Sequence, residues 1–214
     1  MKLYTYFRSS AAYRVRIALN LKEIAYDAVP VHLVRGGGEQ KAPSYRALNP
    51  QAMLPTLEDD GTVVTQSLAI LEYLEETHPK RPLLPPAPAD RARVRAIALA
   101  IACEIHPINN LRILSYLTNT LGISAEQKDS WYRHWVETGL SAVEAMLAND
   151  SRTGRFCHGD QPGLADCCLI PQVFNANRFK CDLSAMPNIV RITAACDALP
   201  AFIDAAPANQ PDCE

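Results

Sequence analysis

Five prolines crowded into residues 79–88 divide the chain into two parts with different hydrophobic patterns. Proline removes a backbone donor and is excluded from the interior of helices and central strands, so such a run interrupts regular structure. Strand-like and helix-like segments alternate before it, whereas only helical segments follow. We therefore predict a first domain at residues 1–80, a Pro-rich linker at residues 81–88, and an all-helical domain at residues 89–214.

The first 80 residues predict a mixed sheet covered by helices, in the order β-α-β-α-β-β-α. Pro30 lies in the second predicted strand and makes it an edge strand. The strand patterns cover residues 1–7, 27–33, 54–58 and 62–65, and the helical patterns cover residues 13–22, 44–48 and 67–78. The turn Asp59-Asp60-Gly61 between the last two strands predicts a hairpin.

The part after the linker shows helical periodicity only. The first helical segment contains Pro107, where we expect a kink or a break. The predicted helices cover residues 90–121, 125–148, 164–179 and 187–199.

The composition is that of an ordinary globular protein of 214 residues, with 48% hydrophobic residues and a net charge of −2. Such a charge gives no field that attracts nucleic acid or an anionic membrane. There is no run of 18 apolar residues and no apolar leader, so we expect a cytoplasmic protein that does not span a membrane. The seven cysteines are odd in number and lack CxxC spacing, so we expect free thiols and neither a disulfide framework nor a metal site.

Two short polar stretches lie where a strand gives way to a helix. The bland interpretation of Arg8-Ser9-Ser10 is a polar loop with a capping serine, and that of Gln66-Ser67 is a helix capped by Ser67. The functional interpretation adds an anion on the free N–H groups of the helix start, or a hydroxyl that stabilises a thiolate. The two interpretations are compatible.

Three further stretches have both ordinary and functional interpretations. The Leu54-Pro55 bond is expected to be trans from base rates, whereas a cis bond would turn the backbone of Leu54 toward an extended ligand. The run His106-Pro-Ile-Asn-Asn-Leu-Arg112 is either a solvated helix end or the wall of a cleft. Arg178 alone is most simply an exposed helix end.

Together these stretches resemble the zeta class of glutathione transferases, which includes maleylacetoacetate isomerases. The run RSSAAYRVRIAL (8–19) resembles the class signature R-S-S-C-x-W-R-V-R-I-A-L. Further matching stretches are ALNPQAMLPTL (47–57), QSLAILEYLEE (66–76), LADCCLIPQVFNANRFKCDLS (164–184) and NQPD (209–212). The resemblance extends over essentially the whole chain.

The resemblance implies a thioredoxin-like N-terminal domain, a C-terminal helical bundle domain, a homodimer, and glutathione as cofactor. It also implies a cis bond before Pro55. Carried over by position, the catalytic residues are Ser9, Ser10 and Arg8, and the substrate-binding residues are Arg8, Arg112 and Arg178. The implied glutathione-binding residues are Ser9, Ser10, Ala11, Gln40, Leu54, Pro55, Gln66, Ser67, His106, Asn110 and Arg112.

The sequence departs from the class signature at two positions. Ala11 replaces the signature cysteine, which is dispensable if glutathione supplies the nucleophilic sulfur. Tyr13 replaces the signature tryptophan. In addition, Gly163 stands where many relatives have the serine or threonine of a capping box before Asp166.

The implied activity is glutathione-dependent cis–trans isomerisation of maleylacetoacetate to fumarylacetoacetate, in tyrosine breakdown. Maleylpyruvate, a shorter dicarboxylate from gentisate breakdown, is the alternative substrate, and three arginines suit a short dianion. A general glutathione transferase acting on haloacids or other electrophiles, and a non-catalytic binding protein on the same fold, are the other hypotheses, since fold alone does not fix function.

Overall fold

The computed structural model describes all 214 residues. The chain forms two compact units, one of residues 1–83 with 197–214 and the other of residues 84–196. The division after Leu83 lies within the predicted linker. Residues 197–214, which we placed in the helical domain, are grouped with the first unit instead.

A four-stranded sheet forms the middle of the first unit. Its strands are β1 (Lys2–Thr5), β2 (Asp27–Pro30), β3 (Thr56–Asp59) and β4 (Thr62–Thr65), in the spatial order β2-β1-β3-β4. β1 is parallel to β2 and antiparallel to β3, and β3 is antiparallel to β4. The mixed sheet, the β3–β4 hairpin and the edge position of Pro30 are thus confirmed.

Three helices follow the strands of this sheet, α1 (Ser10–Leu21), α2 (Pro43–Leu48) and α3 (Ser67–Thr77). α1 and α3 contact each other, and their apolar faces pack with Leu3 and Leu57 of the sheet into a core that water does not reach. Burial of these side chains is the main favourable contribution to the stability of such a unit. α1 begins three residues earlier than predicted, because Ser9 caps it.

The second unit is entirely helical. Its segments are α4 (Pro88–Leu99), a π-helical segment (Ala100–Ile105), a 3-10 turn (Pro107–Asn109), α5 (Leu111–Asn119), α6 (Ala125–Ala148), α7 (Leu164–Arg178) and α8 (Pro187–Asp197). The predicted break at Pro107 is confirmed, and α6 has the predicted bounds.

Side-chain caps fix the starts of α6 and α7. Ser124 Oγ accepts from Gln127 N at 3.2 Å while Ser124 N donates to Gln127 Oε1 at 2.8 Å, a reciprocal capping box. At α7, Gly163 N donates to Asp166 Oδ2 at 2.8 Å, so the carboxylate alone supplies the side-chain part of the cap.

One short helix, α9 (Pro200–Ala205), was missed by the sequence analysis. It belongs to the first unit, where it packs against α1. Six residues carry too little periodicity to be recognised, and Asn20 Nδ2 fixes the helix from outside by donating to Ala201 O at 3.0 Å.

The segment Pro88–Asn119 is long and apolar enough to cross a membrane by length and composition alone, with a window of mean hydropathy 1.2. A core helix of a water-soluble protein meets the same criterion. In the structure this segment is divided by the π-helical and 3-10 parts around His106. Our expectation that the chain does not span a membrane stays a prediction.

Candidate functional site

Four connections of the first unit leave the sheet at the same end of its strands. Tyr4 pairs with Thr56, Thr56 with Thr65, and Thr5 with Pro30. The ends of β1, β2 and β4 and the start of β3 are therefore aligned. These connections carry every candidate site residue of the first unit, namely Arg8, Ser9, Ser10, Ala11, Gln40, Leu54, Pro55, Gln66 and Ser67.

Ser9 is the N-cap of α1, as the bland interpretation predicts. Its Oγ accepts from Ala12 N at 3.2 Å, and its backbone is extended, with φ −71° and ψ 111°. A hydroxyl that accepts one hydrogen bond keeps its own hydrogen to donate. Ser10 is buried and Ala11 is half-buried in the first turn. The Ser9 hydroxyl and the positive end of the α1 dipole therefore lie at the same point, where both favour an anion.

The turn from β1 to Ser9 is stabilised from below by a buried arginine. Arg16 has no exposed surface, and its guanidinium donates to Tyr6 O at 3.3 Å, Phe7 O at 3.0 Å and Ala205 O at 3.0 Å. Burial lowers the pKa of Arg16 to about 10, which leaves it protonated at neutral pH. The turn that presents Ser9 is thus fixed by charged hydrogen bonds.

Arg8 lies on the exposed side of the same turn. Its guanidinium donates to the Tyr6 hydroxyl at 3.0 Å and lies over the Phe7 ring, 4.9 Å from the ring centroid. These contacts orient the side chain without neutralising it, so Arg8 keeps its charge for an anionic ligand.

The Leu54–Pro55 peptide bond is cis, which confirms what the resemblance implies and reverses the base-rate expectation. Both residues are buried and come directly before the first paired residue of β3. Tyr45 and Asn49 fix the preceding loop, since the Tyr45 hydroxyl and Asn49 Nδ2 donate to Met53 O at 2.7 and 2.8 Å. Burial raises the pKa of Tyr45, so this hydroxyl stays a neutral donor.

The start of α3 differs from the prediction that Ser67 caps it. The cap residue is Gln66, in the left-handed region at φ 70°, and no side chain caps the helix. A non-glycine residue there stores about 1–3 kcal/mol of strain and points to a functional site. Ser67 is buried, and its Oγ accepts from Arg14 Nη1 at 3.1 Å. Gln66 Nε2 donates to Gln51 Oε1 at 2.6 Å.

Gln40 is buried in a short turn between β2 and α2. Its Nε2 donates weakly to Leu33 O at 3.4 Å, whereas its Oε1 is buried without a hydrogen-bond partner. Gly38 has φ 108°, and a Cβ there would lie 2.6 Å from Gln40 Oε1. Only glycine therefore allows this close approach, and the amide of Gln40 has an acceptor left for a ligand.

His106, Asn110 and Arg112 lie in one stretch of the second unit. His106 and Asn110 are half-buried and Arg112 is exposed. Asn110 caps α5, because its Oδ1 accepts from Arg112 N at 3.1 Å. The side-chain N–H₂ of Asn110 is the part of this residue that can serve a ligand.

Arg178 is the last residue of α7 and is exposed. Its guanidinium lies 5.8 Å from the centroid of the Phe179 ring, which stacks on Tyr132 at 3.5 Å. Arg112 and Arg178 belong to the second unit and Arg8 to the first. Their convergence on one substrate stays a prediction.

This end of the sheet has hydrogen-bond donors and an acceptor that suit a peptide-like anion with a thiol. The uncapped start of α3 offers free N–H groups for a carboxylate, as helix N-termini commonly do. Gln40 offers a buried unpaired acceptor, and Ser9 offers a hydroxyl hydrogen at the start of α1. The residues at this end of the sheet thus fit the glutathione that the resemblance implies.

Sequence reasoning missed the residues that hold the site from behind. In the helical pattern at residues 13–22, Arg14 and Arg16 are charged residues among apolar ones, which predicts exposed side chains, whereas both are almost fully buried. The sequence did carry a signal for this burial, because two arginines interrupt the apolar run of α1 at a spacing that places at least one of them on its buried face. Asp212, whose Oδ2 accepts from Phe7 N at 3.0 Å, lies in the NQPD stretch, to which no role had been assigned.

Comparison with known proteins agrees with this geometry. Residues 3–82 match the family model of the glutathione S-transferase N-terminal domain. A probable maleylacetoacetate isomerase of Vibrio cholerae is 52% identical over 210 residues, which cover 98% of this chain and 97% of the relative.

Two solved structures resemble the whole chain. One is the holo form of a maleylpyruvate isomerase, a bacterial zeta-class glutathione S-transferase, with 47% identity, full coverage of both chains and a TM-score of 0.97. The other is a maleylacetoacetate isomerase from Methylobacterium extorquens AM1 with bound malonate and glutathione, with 44% identity, full coverage of both chains and a TM-score of 0.95. The chain belongs to the zeta class of glutathione transferases, the family of the maleylacetoacetate and maleylpyruvate isomerases.

Proposed function

We propose that this protein is a glutathione-dependent cis–trans isomerase that converts maleylacetoacetate to fumarylacetoacetate in the breakdown of tyrosine. The observation that carries the proposal is the aligned strand ends of the first unit, whose connections contain Ser9, Gln40, the cis bond before Pro55 and the uncapped start of α3. Relatives similar over the whole chain carry the same activity in their names, and one of them holds glutathione with a dicarboxylate, malonate.

Bound glutathione would supply a thiolate that adds to one alkene carbon, allows rotation about the bond, and leaves again unconsumed. Ser9 donates its hydroxyl hydrogen to that sulfur and thereby favours the charged form of the thiol. The positive end of α1 acts in the same direction. Ser10 supports this first turn, and Ala11 adds no nucleophile of its own. Gln66, Ser67 and the start of α3 hold the γ-glutamyl end, Leu54 pairs with the peptide backbone, and Gln40 holds the glycine end.

Three arginines are proposed to hold the substrate carboxylates, Arg8 from the first unit and Arg112 and Arg178 from the second. Arginine forks match carboxylates in a bidentate geometry and stabilise negative charge that develops next to them. His106 and Asn110 complete the proposed contacts of the helical domain with glutathione. The first domain would thus supply most of the contacts with the cofactor, and the helical domain two of the three arginines for the substrate.

Maleylpyruvate is the second candidate substrate. A zeta-class structure named for that activity matches this chain with a TM-score of 0.97. Both substrates are dicarboxylates that differ in the length of the chain between a carboxylate and the double bond. The arginines recognise the charges that the two substrates share, so a direct comparison of rates decides between them.

The test is an ultraviolet assay of the purified protein with each substrate, with and without glutathione, followed by a count of free thiol. The proposal predicts isomerisation only with glutathione, with all thiol conserved, and a higher kcat/KM for maleylacetoacetate. Faster turnover of maleylpyruvate would assign the protein to gentisate breakdown instead. Stoichiometric loss of thiol on haloacids, without isomerisation, would identify a general transferase instead.

We further propose that the enzyme works as a homodimer in the cytoplasm. All seven cysteines are free thiols in the structure, which fits a reducing compartment. Val63 and Leu99 are exposed apolar side chains, and burial of such side chains against a partner subunit is favourable. Light scattering after size exclusion tests the dimer, for which we expect twice the chain mass of 23.6 kDa, and cell fractionation tests the location.

A further inference from the structure

The NQPD stretch and the two residues after it form a segment to which the proposed function assigns no role. We call residues 209–214 the tail. Gln210 is buried, and its Nε2 donates to Asp204 O at 2.8 Å and to Ala206 O at 3.1 Å. Asn209 Nδ2 donates to Ile203 O at 2.7 Å. The first half of the tail is therefore fixed to α9, which packs against α1.

Asp212 connects the tail to the turn that presents Ser9. Its Oδ2 accepts from Phe7 N at 3.0 Å, and Phe7 O accepts from Arg16 Nη2 at 3.0 Å. Both backbone groups of Phe7 are thus held by side chains of opposite charge. Ser9 follows in the same turn, and its N–H donates to Tyr6 O at 2.9 Å. The position of the Ser9 hydroxyl therefore depends on a turn that Asp212 ties to the tail.

Glu214 connects the tail to the loop that presents Gln40. One of its carboxylate oxygens forms an ion pair with Arg35, and the other lies 3.4 Å from His32 Nε2. His32 Nδ1 accepts from Val34 N at 3.1 Å and from Arg35 N at 2.7 Å. Since Nδ1 is an acceptor, the ring proton is on Nε2 and faces Glu214. This arrangement assigns the tautomer of His32 from its backbone donors.

The loop held by Glu214 has little stiffness of its own. It contains Gly36, Gly37 and Gly38 in succession, and glycine loses more conformational freedom on ordering than any other residue. Glu39 closes the loop, because its Oε2 accepts from His32 N at 2.7 Å. Gln40 follows immediately. A contact that orders His32 and Arg35 thus lowers the entropy loss when Gln40 engages a ligand.

We propose that the tail is a strap that orders two parts of the glutathione site at once, with Asp212 and Glu214 as positioning residues for Ser9 and Gln40. This inference rests on the proposed function, since it takes Ser9 and Gln40 as glutathione contacts. Neither acidic side chain touches the ligand in this account. The strap instead lets the free protein keep the arrangement that the ligand requires.

Hydrogen–deuterium exchange of the free protein tests the strap without any ligand. Asp212→Ala should raise exchange in residues 4–12, and Glu214→Ala should raise it in residues 31–42. Asp212→Asn keeps an acceptor for Phe7 N and should restore most of the protection. Glu23→Ala is the matched control, because it breaks an exposed ion pair of the same unit, Glu23 with Arg81 at 2.6 Å, and should change neither segment.

Calorimetric titration with glutathione then tests what the strap does. We expect about a tenfold increase in Kd for Asp212→Ala, the scale of losing a charged hydrogen bond. For Glu214→Ala we expect about a twofold to fivefold increase, the scale of an exposed ion pair. For Glu214→Ala, KM for glutathione should rise while kcat stays unchanged, a split that a general loss of stability does not produce.

The outcomes separate the strap from the proposed function. Unchanged exchange and unchanged Kd in both alanine variants would overturn the strap, and so would equal effects in Glu23→Ala. If the wild-type protein binds no glutathione, the proposed function fails and the positioning role fails with it. If the alanine variants loosen both segments yet bind glutathione as tightly as the wild type, the site is intact and only the positioning role is wrong.

Discussion

The two halves of the proposed site are built in opposite ways. In the first unit the residues assigned to glutathione are mostly buried and held by hydrogen bonds, as shown by Ser67 on Arg14 and by the turn on Arg16. In the second unit Arg112 and Arg178 are exposed ends of long flexible side chains. The entropy of ordering is therefore lost on folding in the first half and on substrate binding in the second.

This difference teaches where mutations should act. A change in the first half should disturb stability and glutathione binding together, because the same hydrogen bonds serve both. A change at the exposed arginines should alter substrate kinetics and leave stability alone.

The strongest way to break the comparison is Arg16→Met. Three backbone carbonyls then lose a charged donor at a site where Arg16 has no exposed surface, and we expect a loss of about 3–5 kcal/mol in the free energy of unfolding. Urea denaturation measures it. A loss below about 1 kcal/mol, the scale of a single net hydrogen bond, would show that the buried guanidinium does not hold the first half.

Ser9→Ala should lower kcat/KM for isomerisation about a hundredfold, the typical effect of removing one hydrogen-bond donor that stabilises a catalytic anion, here the thiolate. It should also lower stability by about 1 kcal/mol, because α1 loses its cap. Ser10→Ala is the matched control and should have a smaller effect on rate. The reverse order of the two variants would refute the assignment of Ser9.

Arg112→Ala and Arg178→Ala should each weaken substrate binding by about 1–3 kcal/mol, the scale of a charged hydrogen bond. Their unfolding midpoints should match that of the wild type, because both side chains are exposed. Steady-state kinetics with both dicarboxylates provide the measurement. Unchanged kinetics in both variants would remove these arginines from the proposed site. The contrast between buried residues in the first unit and exposed residues in the second would then no longer hold.

The second unit has one ordered charge cluster of its own, around Asp150. Asp150 Oδ2 accepts from Arg93 Nε at 2.8 Å and from Arg152 Nη2 at 2.6 Å. Arg152 lowers the pKa of Asp150 well below its usual value. A carboxyl with a lowered folded-state pKa stabilises the protein above its unfolded pKa, and this stabilisation is lost as the pH falls toward the folded value.

Thermal unfolding between neutral pH and about pH 3, just below the usual pKa of aspartate, checks this. The wild type should lose stability as the pH falls through the lower part of that range. Asp150→Asn should be less stable at neutral pH and show a flatter profile. Equal slopes for both proteins would contradict the proposed role of the cluster.

The smallest effect is expected for Ala11→Cys, which restores the signature cysteine. If glutathione supplies the only sulfur nucleophile, kcat should change by about twofold or less, within the ±0.5 kcal/mol typical of a tolerated substitution. A large gain in rate would mean that the alanine limits the natural protein. The assay is the same isomerisation reaction with thiol counting.

Much of the fold follows from periodicity and caps. The bounds of α6 were predicted from its helical pattern, and the structure shows that Ser124 and Gln127 cap its start. The β3–β4 hairpin was predicted from its Asp-Asp-Gly turn. α9 was missed because six residues show no periodicity. The place of the tail was missed because its contacts with Phe7 and Arg35 are far apart in sequence.

The site was predicted mainly through the resemblance, and sequence physics alone would have misplaced parts of it. Base rates favoured a trans bond before Pro55, whereas the bond is cis. Capping preference favoured Ser67 as the first cap, whereas Gln66 occupies that position with positive φ. In both cases tertiary contacts select a backbone conformation that local preference disfavours, as is common where a ligand is held.

The most direct test of the proposed glutathione site in the first unit is the pKa of the glutathione thiol in the complex. Ultraviolet absorbance of the thiolate can be followed against pH for the wild type and for Ser9→Ala. Our account predicts a pKa clearly below that of free glutathione in the wild type and a return toward the free value in Ser9→Ala. An unshifted pKa in the wild type, with glutathione bound, would contradict the claim that the aligned strand ends of the first unit hold a thiolate.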